Sequence, residues 1–432
     1  MEEHVEEKRS LETDSQGVSL LLSAQNKDAL KLQIDSFIEY LEANDKSLLK
    51  DICYTQAVGD EKNKYRLAIV GKDKEKIIRG LNAVKAGELR LGCYTSDLCD
   101  HQQVECVFIF TGHGAQYVGM GKWMYENYSV FKSTLDQCEI LFQKLCRISL
   151  LQIMFEGTDN DLIPATIAHP AIFSFEVALA NQLMAWGIKP ACLIGHSVGE
   201  YAAAHIAGVF DLNSAFHLVY KRSQLIESIV DPGQMMAILA SLEIVNQSIS
   251  ETGAAVDIAA VNGENAVVIS GYSNELLKIE AWCENCDVGT CYLSVSSAAH
   301  SSIMEKVKDQ FRIEAEKYNY QPPLIDIISN LTGAMAAKDT FTAGYWAEHL
   351  RNTVLFYNSV KNLVQRGSKC FLEIGPKSTL SSLIQLSFPG VFTQCFSQPK
   401  FERIGMMNCL SLLYTLGNDI DWESVYSIDQ FN

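Results

Sequence analysis

The hydrophobic pattern changes period several times along the chain, and each change marks a segment. Val18 to Leu22 is a short apolar run, and Asp28 to Ala43 then places Leu30, Ile34, Phe37, Ile38 and Leu41 at helical spacing, predicting an amphipathic helix. Tyr65 to Val70 reads as a strand and the Lys-rich Lys74 to Ala86 as a helix. Together they predict a small α+β domain over residues 18–103, with the aperiodic Gly92 to Gln103 as its connector. Residues 1–17, polar and acidic, read as a frayed or disordered N-terminus.

From Val104 the pattern becomes one of alternating strands and helices. Val104 to Phe110 is a continuous apolar run ending in a glycine-rich loop, as expected of a parallel strand buried on both faces. Ala191 to Ile194 is a second such strand, with an Ala-rich helix, Glu200 to Val209, after it. Between Gln234 and Val295 the order becomes strand (235–239), helix (242–250), strand (256–261), strand (266–270), helix (274–286), strand (290–295). That βαββαβ order is the ferredoxin-like arrangement, with Asn262-Gly263-Glu264-Asn265 as its central hairpin turn. Leu324 to Ser329 and Cys370 to Ile374 then read as strands returning to the first layer, and Ile404 to Leu416 as a final helix. The prediction is an α/β layer over 104–233 and 296–400, interrupted by a ferredoxin-like lobe over 234–295 and followed by a C-terminal helix and tail over 401–432.

Composition narrows the function classes. The chain has 432 residues, 48% hydrophobic and 20% charged, and a formal charge of −17, which disfavours binding to nucleic acid or to anionic lipid. The apolar stretch Ala171 to Ile188 contains Ser174, Glu176, Asn181 and Gln182, so it reads as a buried helix and not a membrane span. An acidic N-terminus without signal-peptide features and thirteen scattered cysteines fit a reducing, cytoplasmic setting. Cys283 and Cys286 have the spacing of a metal half-site but no matching second pair, so they read as two thiols on a helix and no metal is expected.

The sharpest chemical signal is Gly195-His196-Ser197-Val198-Gly199-Glu200, between a buried strand and an Ala-rich helix. This is the setting of a nucleophile elbow, where glycines let strand and helix cross closely while a strained serine presents its hydroxyl. The backbone N–H of Val198 and the helix N-terminus would face the same spot, where an oxyanion develops. A serine nucleophile needs a base. Of nine histidines, His300 in Ser297-Ala298-Ala299-His300-Ser301 follows the inserted lobe directly, at a junction that favours a cleft. His196 adjoins the serine but would point away from it. Arg222, on the helix before the inserted lobe, is the candidate for a bidentate hold on a substrate carboxylate.

In chain order, Gly112-His113-Gly114-Ala115-Gln116, Gly-His-Ser-x-Gly-Glu, the Arg222 helix, Ala299-His300-Ser301, Ser329-Asn330-Leu331-Thr332-Gly333, Tyr345-Trp346 with His349-Leu350-Arg351, and Glu373-Ile374-Gly375-Pro376 form a series. The series resembles malonyl-type acyltransferases of polyketide and fatty-acid synthases, from about Val104 to Trp422. Residues 18–91, with Leu22-Ser23-Ala24 and Asp51-Ile52-Cys53-Tyr54-Thr55, resemble the linker domain that precedes such acyltransferases in modular synthases.

The resemblance implies an α/β-hydrolase-like large subdomain and a Ser197/His300 dyad, with the backbone carbonyl of His349 orienting the imidazole. It also implies an oxyanion hole from the amides of His113 and Val198, a malonate carboxylate on Arg222, and a pocket including Gln116, His169, His196, Ser297, Ala298 and Ala299. The reaction implied is ping-pong transfer from coenzyme A or a carrier protein to the phosphopantetheine thiol of an acyl carrier protein, with no bound cofactor, by a monomer. Where the chain ends suggests a free-standing, trans-acting enzyme of polyketide or hybrid polyketide/peptide biosynthesis.

Three positions depart from the family. His113 and His169 stand where Gln is usual. Ser297-Ala298-Ala299-His300 matches neither the His-Ala-Phe-His of malonyl enzymes nor the Tyr-Ala-Ser-His of methylmalonyl enzymes. Ala299 in place of Phe leaves room for an α-substituent such as methyl, hydroxyl or amino. Two rival functions are weighed: an editing acyl hydrolase, against which Arg222 argues, and a non-catalytic docking scaffold, against which the intact Ser197, His300 and Arg222 argue. For the carrier, the basic residues Lys72, Lys74, Lys76, Arg79, Lys85 and Arg90 offer a candidate docking face.

Overall fold

The computed structural model describes residues 17–44, 48–59, 61–88, 90–97, 103–295, 297–396 and 402–426. The expected frayed terminus and the end of the tail therefore lie, apart from Gly17, outside the described residues. The chain forms two compact units: the described residues up to Val104 with Leu183–Lys189 and those from Phe396 on, and Glu105–Gln182 with Pro190–Cys395.

The first unit is built on an antiparallel sheet in the order β1 (Val18–Ala24), β2 (Tyr65–Gly71), β3 (Cys93–Asp97). β3 lies inside the stretch expected to be a bare connector. It is short and polar and pairs with a strand more than twenty residues away, so no local periodicity announces it. The helix Lys27–Ala43 is capped by Asn26, whose side chain accepts from Ala29 N–H at 2.8 Å. The C-terminal helix Glu402–Thr415 belongs to this unit and is not a separate tail. Ser411 Oγ lies 2.5 Å from Ser19 Oγ, the Tyr414 carbonyl accepts from Arg66 Nη1 at 2.9 Å, and Arg403 Nε donates to the Gly17 carbonyl at 3.0 Å. Much of the basic face expected over 72–90 is engaged locally. Lys85 pairs with Asp35 at 2.5 Å, Arg90 with Glu88 at 2.8 Å and Arg79 with Glu75 at 3.5 Å, while Lys74 donates to the Asn44 carbonyl.

The second unit carries a five-stranded, wholly parallel sheet. β4 (Cys106–Phe110) and β5 (Pro190–Gly195) are its centre. The chain then leaves to build β6 (Gln234–Ile238), β7 (Val256–Gly263), β8 (Ala266–Gly271) and β9 (Thr290–Tyr292), and returns as β10 (Asp326–Ile328), β11 (Cys370–Ile374) and β12 (Phe392–Cys395). The parallel order is β10-β5-β4-β11-β12 and the inserted antiparallel order β7-β8-β6-β9, the latter being the ferredoxin-like arrangement. The fold is thus an α/β-hydrolase-like layer with an inserted ferredoxin-like lobe. The helix Ala165–Ala185, apolar on nearly every face, lies inside the protein, as its pattern predicted. Among the described residues no helix is long and apolar enough to cross a membrane.

The registers put the ends of three strands at one edge: Phe110 opposite Gly195, and Ile194 opposite Ile328. The segments that leave this edge are Thr111-Gly112-His113, His196-Ser197 and Ser329-Asn330. Ligand sites of open parallel sheets form at such carboxyl ends.

Candidate active site

Ser197 occupies the turn between β5 and the helix Gly199–Ile206 with φ of +51°, a left-handed conformation that costs a non-glycine residue about 1–3 kcal/mol. The crossing permits no side chain beside it: a Cβ on Gly195 would sit 2.1 Å from Glu200 Cα, and one on Gly199 2.3 Å from the Thr111 carbonyl oxygen. The turn is held from behind by Asn330. Its Oδ1 accepts from Ser197 N–H at 2.9 Å, its Nδ2 donates to the Gly195 carbonyl at 2.6 Å, and its own N–H donates to Glu200 at 2.8 Å.

Ser197 Oγ lies 2.7 Å from His300 Nε2. His300 Nδ1 lies 2.9 Å from the carbonyl oxygen of Asn352, so the Nδ1–H tautomer leaves Nε2 free to accept the serine proton. The orienting carbonyl is therefore that of Asn352 and not that of His349. His349 sits in the last turn of the helix Ala343–Arg351, whereas Asn352 is its cap with extended backbone (φ −93°, ψ 165°), which turns its carbonyl out of the helix. The His349 side chain is buried behind the site, with Nε2 3.0 Å from Glu200 Oε2. Burial raises the Glu200 carboxyl to about 8 and pushes His349 well below the usual imidazole range, so both groups are neutral and the contact is not an ion pair. Burial, and then the neighbouring His349 and Arg222, also hold His300 well below its ordinary value, as a neutral base.

Arg222 is 1% exposed, and among the described residues no carboxylate lies within ion-pairing distance of it. Nη2 is 3.3 Å from Ser197 Oγ, Nη1 is 3.3 Å from His169 Nδ1, and Nε has no partner among the described residues. His169 Nε2 is in turn 3.3 Å from His113 Nδ1. His196 points away from Ser197, with Nε2 2.7 Å from Asn262 Oδ1.

These groups line a cavity of about 280 Å³ that includes Gly112, His113, His169, His196, Ser197, Arg222, Ser297, Ala299 and His300, with Met235, Val268, Leu293 and Val295 as apolar wall. Gln116 and Ala298, expected in the pocket, do not line it. The Gln116 amide is used within the loop, accepting from Gly114 N–H (2.8 Å) and donating to the Leu162 carbonyl (3.1 Å). Ala298 is fully buried and donates its N–H to the Pro232 carbonyl at 2.7 Å. The N–H groups of Gly199, Glu200 and Tyr201 close tight turn bonds, but those of Val198 and His113 have no acceptor among the described residues. Sequence reasoning missed the roles of Asn330, Asn262 and Asn352. Ser329-Asn330, immediately after a buried strand, was the available signal for the first.

Residues 107–401 match the family described as acyl transferase domain, and residues 19–81 match CurL-like, PKS C-terminal. The chain belongs to the acyl transferase domain family. It is 33% identical to mycoketide-CoA synthase of Mycobacterium tuberculosis over 417 residues, which are 96% of this chain and 10% of that protein. This acyltransferase thus spans about a tenth of that synthase's length. Among solved structures it is similar to the acyltransferase domain from the second module of the salinomycin polyketide synthase (32% identity, TM-score 0.77, 96% of this chain and 97% of that one). It is also similar to the acyltransferase domain of SpnD in complex with 2-(pent-4-yn-1-yl)malonyl (27%, 0.83, 96% and 98%). Malonyl CoA-acyl carrier protein transacylase from Clostridium perfringens aligns with 72% of the acyltransferase chain and 97% of its own (25%, 0.65).

Proposed function

We propose that this acyltransferase moves a malonyl-type acyl group from a thioester of coenzyme A or of a carrier protein to the phosphopantetheine thiol of an acyl carrier protein, in polyketide or hybrid polyketide/peptide assembly. In the first half-reaction Ser197 Oγ attacks the thioester carbonyl while His300 Nε2 takes its proton. The C–S bond breaks, and the departing thiolate receives that proton. In the second, the carrier thiol gives its proton to His300 and attacks the acyl-serine, which returns Ser197 to its hydroxyl form. The amides of Val198 and His113 would hold the oxyanion in both halves. No cofactor enters this chemistry.

The observation that carries the reading is the Ser197–His300 contact of 2.7 Å beside a buried guanidinium that no carboxylate among the described residues neutralises. A buried charge in that state is stabilised by a ligand of opposite sign, and a malonyl carboxylate supplies one. An acyl group without a carboxylate leaves it unmatched, which disfavours the hydrolytic editing role. Beside Ala299 the cavity has room for an α-substituent, and its wall of Met235, Val268, Leu293 and Val295 suits an apolar one. The substituted malonyl unit in the SpnD domain is a parallel case. The reading includes a monomer acting in the cytoplasm.

Intact-protein mass spectrometry after incubation with malonyl, methylmalonyl and acetyl thioesters, on coenzyme A and on a separately supplied carrier, tests this. The acyl mass is expected on wild type and then on the carrier, which also reports transfer in trans. Retention of acyl mass by Ser197→Ala would exclude the mechanism. Arg222→Ala is expected to lose carboxylated donors by roughly 10²-fold more than acetyl, and an equal loss counts against the carboxylate site.

A further inference from the structure

We propose that His169 and His113 form a positioning relay that holds Arg222 in place for a carboxylated acyl group and ties it to the oxyanion loop. This rests on the reading of Arg222 given above.

The protons along the relay follow from one end. A guanidinium can only donate, so the 3.3 Å contact from Arg222 Nη1 requires a lone pair on His169 Nδ1 and places the proton of that ring on Nε2. That Nε2–H can then donate to His113 Nδ1, 3.3 Å away, which places the second ring's proton on its own Nε2. The rings meet edge to face, with centroids 4.7 Å apart and planes at 89°. Protonating either ring at Nδ1 would set two donors against each other. Burial and Arg222 both oppose it, and hold His113 at about 4 and His169 well below the usual range.

The chemistry of the relay suits its place. A carboxylate at position 169 would also satisfy Nη1, but it would neutralise the guanidinium and compete with the substrate. A neutral imidazole accepts the hydrogen bond and leaves the charge for the acyl group. The far end of the relay is the side chain of His113, whose backbone N–H is one of the two proposed oxyanion donors. The anchor for the carboxylate and the loop that receives the oxyanion are therefore joined by two contacts. Gln, usual in the family at both positions, can likewise accept at one atom and donate at the other, which makes it the conservative replacement.

The test measures initial rates of enzyme acylation by malonyl-CoA and acetyl-CoA, and takes the ratio of kcat/KM for the two. His169→Leu, which can neither accept nor donate, is expected to lower that ratio roughly 10-fold or more, chiefly through KM for malonyl-CoA. His169→Gln should restore it to within about threefold of wild type. His169→Glu, which pairs with Arg222, should lower it further than His169→Leu. A purely structural role for His169 would depress both donors together and leave the ratio unmoved. If Arg222→Ala abolishes the malonyl preference while His169→Leu and His169→Glu keep it, the relay is wrong and the Arg222 reading stands. If Arg222→Ala keeps the preference, both fall. Should His169→Leu fail to fold, as judged by its melting curve, the ratio for His169→Glu decides alone.

Discussion

Behind Ser197, Asn330 bonds to both ends of the elbow and to Glu200, and Tyr345 donates to the same Glu200 oxygen at 2.7 Å while its own hydroxyl meets Ser329 at 2.9 Å. In front of Ser197, Arg222 is as deeply buried yet has neutral histidine and serine neighbours and, among the described residues, no partner for Nε and no carboxylate within ion-pairing distance. Each unmatched buried polar group costs about 1–3 kcal/mol, and a buried charge more. The bonded side contains the strained backbone that must not move when the nucleophile attacks; its hydrogen bonds are complete at Asn330, while among the described residues Glu200 Oε2 and the His349 ring nitrogens have no hydrogen-bond partner. The unmatched side is where matching is left to the substrate. Catalytic geometry and substrate recognition thus meet at Ser197 Oγ, with the elbow held by Asn330 on one side and the guanidinium 3.3 Å away on the other, and the largest effects are expected from the side that holds the elbow.

His300→Ala removes the base from the bonded side and should lower kcat/KM by about 10³-fold or more for malonyl and acetyl donors alike. Single-turnover acylation measures it. A loss confined to carboxylated donors would place His300 on the recognition side and undo the comparison.

How far the chain announced these two sides differs in the same way. The elbow is a local motif, and the turn fixes its serine, so Ser197 was legible without any long-range information. His300 and Arg222 were legible from their places at the ends of the inserted lobe. The element order of the small lobe was legible because its strands and helices differ in hydrophobic period, but the hairpin turn is Glu264-Asn265, with Asn262 and Gly263 still in the strand, and the last strand ends at Tyr292 and not Val295. What was not legible depends on pairing across distance. The carbonyl that orients His300 carries no residue-type signal, and the family resemblance, the sole guide to it, points to His349 where the structure has Asn352. The contact of His113 with His169 joins positions 56 apart. β3 and β12 are short edge strands whose partners, not their own sequences, define them. The helix Leu49–Gly59 buries Leu49, Cys53 and Ala57, a one-per-turn stripe in which two of the three side chains are small, so hydropathy marks it weakly. The final helix was visible by composition, but its packing on β1 and β2 was not.

A weaker break of the bonded side is Asn330→Ala, which deletes both side-chain bonds to the elbow and leaves the Ser197–His300 pair in place. The strained Ser197 backbone then loses its support, and kcat should fall roughly 10–100-fold with little change in KM for either donor. A change in KM limited to malonyl-CoA would mean that Asn330 acts through Arg222, and would join the sides that the comparison distinguishes.

An effect on stability and not on rate concerns Glu200, the carboxyl behind the elbow. Its folded-state value of about 8 lies above the unfolded value near 4.5, so between those limits the folded protein holds a proton that the unfolded chain has lost. Stability from this group is therefore complete below about pH 4.5, declines as pH rises to about 8, and is flat above that, with a slope of at most ~1.4 kcal/mol per pH unit. Glu200→Gln keeps an acceptor for Asn330 and Tyr345 and a donor toward His349 but cannot ionise. Its unfolding free energy, relative to wild type, should rise steadily from pH 5 to pH 8 in urea titrations and then level off. Titration of His349, which remains beside a neutral partner in both chains, is common to the two curves and leaves their difference unchanged. A difference that stays constant across that range would mean that Glu200 is ionised in the folded protein, and that its 3.0 Å contact with His349 is an ion pair and not a meeting of two neutral groups.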